Sequence, residues 1–554
     1  MATAMDYETI GHHEDIDDRM DVFEDAYDIE IEYTEAEEID DWPDDEEDEV
    51  IDWREEPFRW SKTPARNVIR DKGGLTEYSK GVKSPIEAFR LFFTEQMVEV
   101  ILTHTNRRMN DEALNEVDEV EFDAFVGTLL AMGVTKQVDV PAQELWSNSS
   151  NGFIHAFAGV FSRNRFNQIF RKIRFDDVHT RAQRREENKL AAIKEVTDFF
   201  RQTWSQAFTP HVDVTIDEAM TPFRGRCPFR VYMPKKPDRY GIKNWVMTDS
   251  YTRYVCNFDV YLGKEGNSVT RELGMKVVMK LSETLQPGRN ITTDNSFTSY
   301  KLAKELAKKK ITLLGTIKKH RTEVPNAMRE VKNRQVNTSK FLFTKLATLV
   351  SYIPRKNKAV LLLSTSHLVY TQEEIKKEGK PEIILAYNER KGGVDTIDQM
   401  RQKYTAQRAT RRWTLAQFMM YLDMMAINAY VIYCEVRRES EPEYKFTRRQ
   451  FIWSLWESLV GPHVDRRRKS GFDSIHHDVQ ASINKVYFQT HREEELMSQE
   501  QQASTSQETK VYEKCTKCHI CPQGTKSTTR VRCESCKKAT CKVHLVKICK
   551  KCIK

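Results

Sequence analysis

The sequence opens without a basic start followed by an apolar run, so no secretory signal is expected. Uninterrupted apolar sequence is scarce throughout. The longest such stretch, LAQFMMYLDMMAINAYVIY, is broken by Asp423 and Asn428 and flanked by arginines, which argues for a buried helix over a membrane span and for a methionine stripe used in core packing. Cysteine is nearly missing until the end of the chain. Eight of the eleven cysteines fall in the last 40 residues, and without an export signal these thiols are expected to be reduced, which favours metal over disulfides. Basic residues are nearly missing from the first 56 positions, where only Arg19 and Arg54 stand against 26 acidic side chains, a net charge of −24. The rest of the chain holds 85 basic and 56 acidic residues, a net +29. A body that positive, with arginine concentrated in RNRFNQIFRKIRF, RATRRW and DRRRKS, implies a polyanionic partner, nucleic acid being the usual one.

At 554 residues the chain is long enough for three or four domains. Residues 1–60 are acidic and low in complexity and read as disordered. A first helix is expected at SPIE, where Ser84 caps, Pro85 suits the first turn and Glu87 completes a capping box; Phe89, Phe93, Met97 and Val100 follow at helical spacing. Further amphipathic helices run to about residue 205. In SRNRFNQIFRKIRF, Phe166, Ile169, Phe170 and Ile173 form an apolar stripe that leaves Arg165, Arg171 and Lys172 as either a solvated face or phosphate contacts. From about 212 the pattern turns to strands: HVDVTID, NWVMTDS and YVCNFDVYLG, then the helix-like SVTRELGMKVVMKLSETL, the short strand NITTD, the helix SYKLAKELAKKK and the strand ITLLGTI. That order describes an α/β layer on a mixed sheet. Residues 320–381 read as a lysine-rich insertion with short strands, 405–488 as helical again, and 489–513 as a polar linker.

Chemistry gathers on aspartates. In KGGVDTIDQM, a helix starting after Gly392 and Gly393 puts Asp395 and Asp398 on one face, three residues apart. They are either acids that complement a helix dipole or one wall of a cation site. Asp217 closes HVDVTID and Asp294 closes NITTD. Aspartates at buried strand ends, joined by Asp395, supply the oxygen donors for two Mg2+ or Mn2+ ions about 3.5–4 Å apart, the arrangement used for in-line phosphoryl transfer.

TIDEAMTPFRGRCPFRVYMPKKPDRYGIK, NITTDNSFTS and KGGVDTIDQM, in that order, resemble the piggyBac transposase family from about residue 80 to the C-terminus, and FRGRCPF and GGVDTIDQM are specific signatures. The resemblance implies a multidomain α/β protein. Its RNase H-like catalytic core would be carried by 212–319 and 382–404, with the insertion domain between them. An all-α dimerisation and DNA-binding domain would be split into 61–211 and 405–488, and a cysteine-rich zinc domain would occupy 514–554. It places the catalytic acids on Asp217, Asp294 and Asp395, with Asp398 as the nearby fourth. The implied activity is cut-and-paste DNA transposition in the nucleus by a homodimer or larger assembly: nicking at terminal inverted repeats, hairpin formation and resolution, and insertion at TTAA. The competing reading is a host-adopted descendant that still binds DNA and chromatin without cutting.

Around that core, the loop after Asp217 offers Arg224, Arg226, Arg230, Lys235, Lys236 and Lys243 to DNA phosphates. Cys227 reads as a packed thiol. Arg411 and Arg412 precede Trp413, which is either core packing or a platform for an unpaired base, a contact worth about 1–3 kcal/mol. In the tail, cysteine and histidine pairs at short intervals fit two zinc ions in a cross-brace: Cys518, Cys521, Cys541 and His544 at one, Cys533, Cys536, Cys549 and Cys552 at the other, with Cys515 and His519 left over and a pairing through Cys515 as an alternative. Arg530, Arg532, Lys537 and Lys538 make this tail a candidate DNA contact; a ubiquitin-ligase reading of the cross-brace leaves the aspartates unexplained. The acidic head is either a solubilising tail or an electrostatic competitor for the basic body.

Overall fold

The structure is a computed structural model that describes residues 51–58, 65–69, 71–137, 139–146, 155–234, 236, 238–263, 272–367 and 380–491, and in the tail 516–521, 528–529, 538–539, 545–546 and 548–549. The chain divides into two units, Met1–Thr490 and His491–Lys554. The acidic stretch 1–50 lies outside the described residues.

The first unit is a mixed α/β assembly. Its leading helices include α1 (Pro85–Arg90), α2 (Glu95–Asn110), α3 (Glu119–Val134), α4 (Arg163–Lys172) and α5 (Lys194–Ala207). The Ser84 side chain caps α1 by accepting from Glu87 N, and Pro85 occupies the first turn where no amide partner is needed. The return bond departs from the expected capping box: the Glu87 carboxylate accepts from Lys83 N, one residue before the cap. The stripe of Phe89, Phe93 and Met97 is buried but spans two helices, because the chain breaks after Arg90 and restarts with Thr94 as cap.

A nine-stranded sheet follows. Its strands are β1 (Asp213–Pro222), β2 (Arg230–Tyr232), β3 (Tyr240–Asp249), β4 (Val255–Val260), β5 (Asn290–Thr293), β6 (Thr312–Thr316), β7 (Ser339–Phe343), β8 (Thr348–Arg355) and β9 (Lys358–Ser364). The order is β2-β3-β1-β5-β6-β9-β8-β7, with β4 also on β3. β1, β5 and β6 run parallel and all other pairings are antiparallel. The parallel steps are bridged by α6 (Leu273–Leu281) before β5 and α7 (Tyr300–Lys308) between β5 and β6. Val214, Ile216, Ile291, Leu313 and Leu314 are fully buried, as expected of parallel strands covered on both faces.

Two regions differ from the sequence reading. Within the stretch read as an insertion, residues 339–364 extend the main sheet, since β9 pairs directly with β6 (Gly315 opposite Leu363) and carries β8 and β7 outward. Residues 51–58, grouped by composition with a disordered head, are placed: Arg54 and Phe343 of β7 exchange both backbone hydrogen bonds (2.9 and 2.7 Å), and Trp53 Nε1 donates to the Glu323 carbonyl at 3.0 Å. Acidic composition hid a strand-edge contact that needs only backbone groups.

After the sheet come α8 (Glu382–Arg390), α9 (Gly393–Lys403), α10 (Trp413–Ser440), α11 (Arg448–Lys469) and α12 (His477–Thr490). Among the described residues α10 alone is long and apolar enough to cross a membrane, but 94% of its apolar window is buried inside the fold. Its polar interruptions have structural partners. Asn428 exchanges two hydrogen bonds with the Val255 backbone (2.8 and 2.9 Å), standing in for a neighbouring strand beside β4. Asp423 accepts from Ala406 N (2.7 Å) and Thr405 Oγ1 (2.6 Å), holding the turn that leaves α9. Helices far apart in sequence also pack together: Gly127 of α3 sits against Leu459 and Val460 of α11, where a Cβ would stand 3.1 Å from each.

Candidate active site

The site grows from the parallel pairing of β1 with β5. Ile216 lies opposite Thr293, so the residues that follow, Asp217 and Asp294, stand side by side. Asp217 does not close its strand: β1 runs on to Pro222 with Asp217 opposite Val246 of β3, and it is the parallel neighbour β5 that stops at Thr293. Asp294 then folds into a turn, accepting from Ser296 N (2.8 Å) and Ser296 Oγ (3.2 Å). Asp217 accepts from the Glu218 amide at 2.7 Å. Burial, then the charge of Asp294, pushes the Asp217 carboxyl well above the usual range; burial likewise raises Asp294.

Asp395 arrives from α9. Gly393 lets that helix start directly on the sheet, against Thr215 of β1 and Thr248 of β3. The preceding helix α8 is tied to the same strand: Thr215 Oγ1 donates to the Arg390 carbonyl (2.6 Å), and the Arg390 guanidinium pairs with Asp213 (3.2 Å). Asp395 is 61% exposed and faces the Lys236 ammonium at 3.7 Å. Asp398, one turn on, is largely covered and accepts from Arg401 Nη1 at 2.8 Å; burial raises its carboxyl and Arg401 opposes that shift. Arg401 itself is buried against the Met220 carbonyl of β1. Asp217, Asp294, Asp395 and Asp398 thus belong to one electrostatic neighbourhood.

Among the described residues no three acidic, histidine or cysteine side chains are gathered closely enough to enclose a metal ion. The donor set nevertheless fits a hard divalent cation: every donor is a carboxylate oxygen, two of them are forced together where ionisation is unfavourable, and a cation, Lys236, already lies among them.

The basic residues divide into two groups. Arg224, Arg226 and Arg411 are exposed and line a cavity of about 920 Å3, whose other wall is supplied by Arg174, Arg185 and Lys189. Arg230 is exposed too, but its guanidinium also donates to the Arg224 and Gly225 carbonyls (2.7 and 2.9 Å) and so holds the loop in shape. Arg412 turns inward to the Arg171 carbonyl (3.1 Å) and the Ile173 carbonyl, and burial lowers it to about 9. Trp413 lines the cavity edge-on to Phe229, ring centroids 5.0 Å apart. Lys243 pairs with Glu218, and Lys235 lies outside the described residues. On α4, Arg165 is committed to Glu121 (2.7 Å) and the Glu116 carbonyl (2.6 Å), and Lys172 to Glu112; Arg171 is exposed. The apolar stripe could not reveal those partners, which come from α3 and from the connection that precedes it.

In the tail, Cys518 is buried and Cys521 half-buried, and the His519 amide and Nδ1 both donate to the Ala539 carbonyl (3.0 and 2.8 Å). Short antiparallel pairs join Thr516–Lys517 to Thr528–Thr529 and Leu545–Val546 to Ile548–Cys549. Cys515, Cys533, Cys536, Cys541, His544 and Cys552, with Arg530, Arg532 and Lys537, lie outside the described residues, as does the side chain of Cys549. Lys538 is exposed.

Sequence reasoning missed Arg401, Glu218 and the wall formed by Arg174, Arg185 and Lys189. RAQRREE carries an arginine signal, but two of its three arginines are spent internally: Arg181 and Arg184 both pair with buried Asp176. Nothing in the local pattern says which arginines face out.

A family model described as Transposase IS4, the piggyBac-type transposase model, matches residues 84–430. The chain is similar to human PiggyBac transposable element-derived protein 3 (23% identity over 479 residues, 82% of this chain and 74% of that protein) and human PiggyBac transposable element-derived protein 2 (23% over 454 residues, 76% and 74%). The fold is similar to a cryo-EM structure of a piggyBac transposase synaptic complex with hairpin DNA, with a TM-score of 0.70 at 31% identity, covering 87% of this chain and all of that one.

Proposed function

Because this chain belongs to the piggyBac-type Transposase IS4 family, we propose that it is a DNA-cleaving and DNA-joining transposase, with Asp217, Asp294 and Asp395 as its metal-holding acids and Asp398 supporting them. One observation carries the reading: the register of β1 on β5 sets Asp217 beside Asp294, and α9 brings Asp395 within electrostatic reach of Asp217 from a distant part of the chain. In this reading β4-β3-β1-β5-β6, with its antiparallel and then parallel pairings, is an RNase H-like core, and 320–381 is an insertion that enlarges its sheet. The leading helices and α10 to α12 form the dimerisation and DNA-binding part, which suits a reaction that joins two DNA ends.

Two Mg2+ or Mn2+ ions, when bound, supply Lewis acidity to an in-line displacement at phosphorus. The protein's own groups do the positioning. Asp217 and Asp294 are held by backbone register, Asp395 by the seating of Gly393, and Asp398 by Arg401. Arg224, Arg226 and Arg411 would bind backbone phosphates without reading sequence, and Trp413, which lines the same cavity, would stack on an unpaired base. The solved relative is a synaptic complex with hairpin DNA, which supports hairpin-ended DNA as a substrate. The tail, with two zinc ions in the cross-brace described above, is the candidate reader of terminal repeats; TTAA target choice and nuclear residence complete the proposal.

The names of the two human relatives mark them as derived from transposable elements, which favours a second reading, a host-adopted DNA-binding protein. The deciding experiment is strand cleavage of labelled DNA carrying the candidate ends with Mg2+, comparing the intact chain with Asp294→Asn. Cleavage lost in the variant with DNA binding retained supports the enzyme. Specific binding without cleavage by either protein, under conditions where a related active transposase cuts its own ends, supports the adopted binder.

A further inference from the structure

The segment after β2 folds Lys236 back into the carboxylates. Met233 N donates to the Arg239 carbonyl at 2.8 Å and Lys236 N to the Met233 carbonyl at 3.3 Å, closing a turn in the sequence YMPKKPDR. From that turn the Lys236 ammonium donates to the Glu218 carbonyl (3.0 Å) and stands 3.7 Å from Asp395 Oδ1. Its side chain is only 24% exposed. The charged groups that face it are Asp217 and Glu218 of β1 and Asp395 and Asp398 of α9. A lysine displayed for a DNA phosphate would extend its flexible four-carbon stem outward; this one points its charge at the oxygens that the proposed metal ions need.

We infer that Lys236 is a tethered counter-ion, a positioning residue whose ammonium competes with divalent cations for the same carboxylates and thereby sets the metal concentration the site requires. The inference rests on the metal-site reading of Asp217, Asp294 and Asp395. An ion entering between the carboxylates displaces a like charge, so Lys236 turns outward, and the anions that can receive it are DNA phosphates at the basic loop. DNA and metal therefore assist each other: substrate draws the ammonium away, and the carboxylates are then open to the ion. By linkage each ligand tightens the other by the same factor.

The test is Mn2+ binding by the full-length protein, followed through the electron paramagnetic resonance signal of unbound Mn2+, with Asp294→Asn as the reference subtracted for binding elsewhere. Lys236→Gln, which keeps a donor for the Glu218 carbonyl, should reach half-saturation at about tenfold lower Mn2+, since a unit charge close to the ion has been removed. Lys236→Arg keeps the charge and should stay near the wild type. Adding duplex DNA should tighten Mn2+ binding in the wild type and do so much less in Lys236→Gln. Circular dichroism establishes that the variants are folded. A folded Lys236→Gln protein with unchanged or weaker Mn2+ affinity overturns the exchange, and so does wild-type protein whose Mn2+ affinity ignores DNA, an arm that needs no substitution at Lys236. If Asp294→Asn binds as much Mn2+ as the wild type, it is the metal-site reading that fails.

Discussion

Gly393 meets Thr215 so closely that an added Cβ would stand 2.9 Å from both the Cβ and the Oγ1 of that threonine, and 2.6 Å from the Thr248 hydroxyl oxygen. The helix that carries Asp395 and Asp398 is seated on the sheet by the absence of a side chain. Gly393→Ala must lift the start of α9, and displacements near 1 Å at a reacting centre cost on the order of a hundredfold in rate. Cleavage should fall by about that factor while DNA affinity, measured by fluorescence anisotropy, stays within a few-fold. A Gly393→Ala protein that cuts normally would show that Asp395 is not held through this contact.

Removing one of the paired buried charges should stabilise the protein in the absence of divalent ions. Asp217 sits beside Asp294 with the Glu218 amide as a hydrogen-bond donor, and burial disfavours its ionised form. Asp217→Asn should raise the melting temperature in EDTA, by roughly 1–4 °C, and should show none of the further rise with Mg2+ that the metal-site reading expects of the wild type. Stability and activity pull in opposite directions at such a residue. A lower melting temperature for the variant in EDTA would contradict the repulsion.

His211 and Asp249 lock the start of β1 to the end of β3: His211 N donates to Asp249 Oδ2 at 2.7 Å and the imidazole Nδ1 lies 3.2 Å from the same oxygen. The hydrogen bond to Asp249 raises His211 above its ordinary 6.5. Burial works against the Asp249 charge, but His211 and the Thr252 amide outweigh it and leave that carboxyl below 3.8. A raised histidine contributes stability that is full below its unfolded value and is lost as pH rises through its folded value; a depressed aspartate contributes above its unfolded value. The pair is therefore worth most between about pH 4 and 6.5. The melting-temperature deficit of His211→Phe should be largest in that window and shrink toward pH 8.5. A deficit independent of pH would assign the residue to packing alone.

Asp423 has the opposite sign. Burial raises its carboxyl to about 6, with Arg401 and the Ala406 amide opposing. A raised acid favours the folded state most when protonated, and that advantage is lost as pH rises through about 6. Asp423→Asn keeps a polar partner for Thr405 and should match or exceed the wild-type melting temperature at pH 7.5, with less change between pH 5 and 7.5. A loss of several degrees at pH 7.5 would show that the charge itself holds the turn.

The succession of the main strands and helices and the glycine start of α9 were legible because each has a local signature: alternation in HVDVTID, a short apolar run in NITTD, and the glycine pair before VDTIDQM. What could not be read were relations between distant segments. Asp217 looked like a strand end because polarity rises there, yet β3 continues to pair with β1 as far as Pro222. Arg165, Lys172 and Arg412 looked like phosphate contacts because the carboxylates and carbonyls that engage them lie elsewhere in the chain. The Lys236 ammonium faces inward because four acids from two elements surround it, and no window of sequence contains them all.

The contact between Arg54 and Phe343 bears on how the acidic head can be studied. β7 is the last strand of the sheet, and an uncovered rim of that kind offers its unpaired amides and carbonyls to other chains. Residues 51–58 supply a partial plug for that rim, with Trp53 pinned to the Glu323 carbonyl and edge-on to Tyr300. A truncation designed to remove negative charge should therefore stop before Ile51. One that runs through residue 56 also uncorks the sheet, and a change in solubility or self-association would then be mistaken for a change in affinity for DNA.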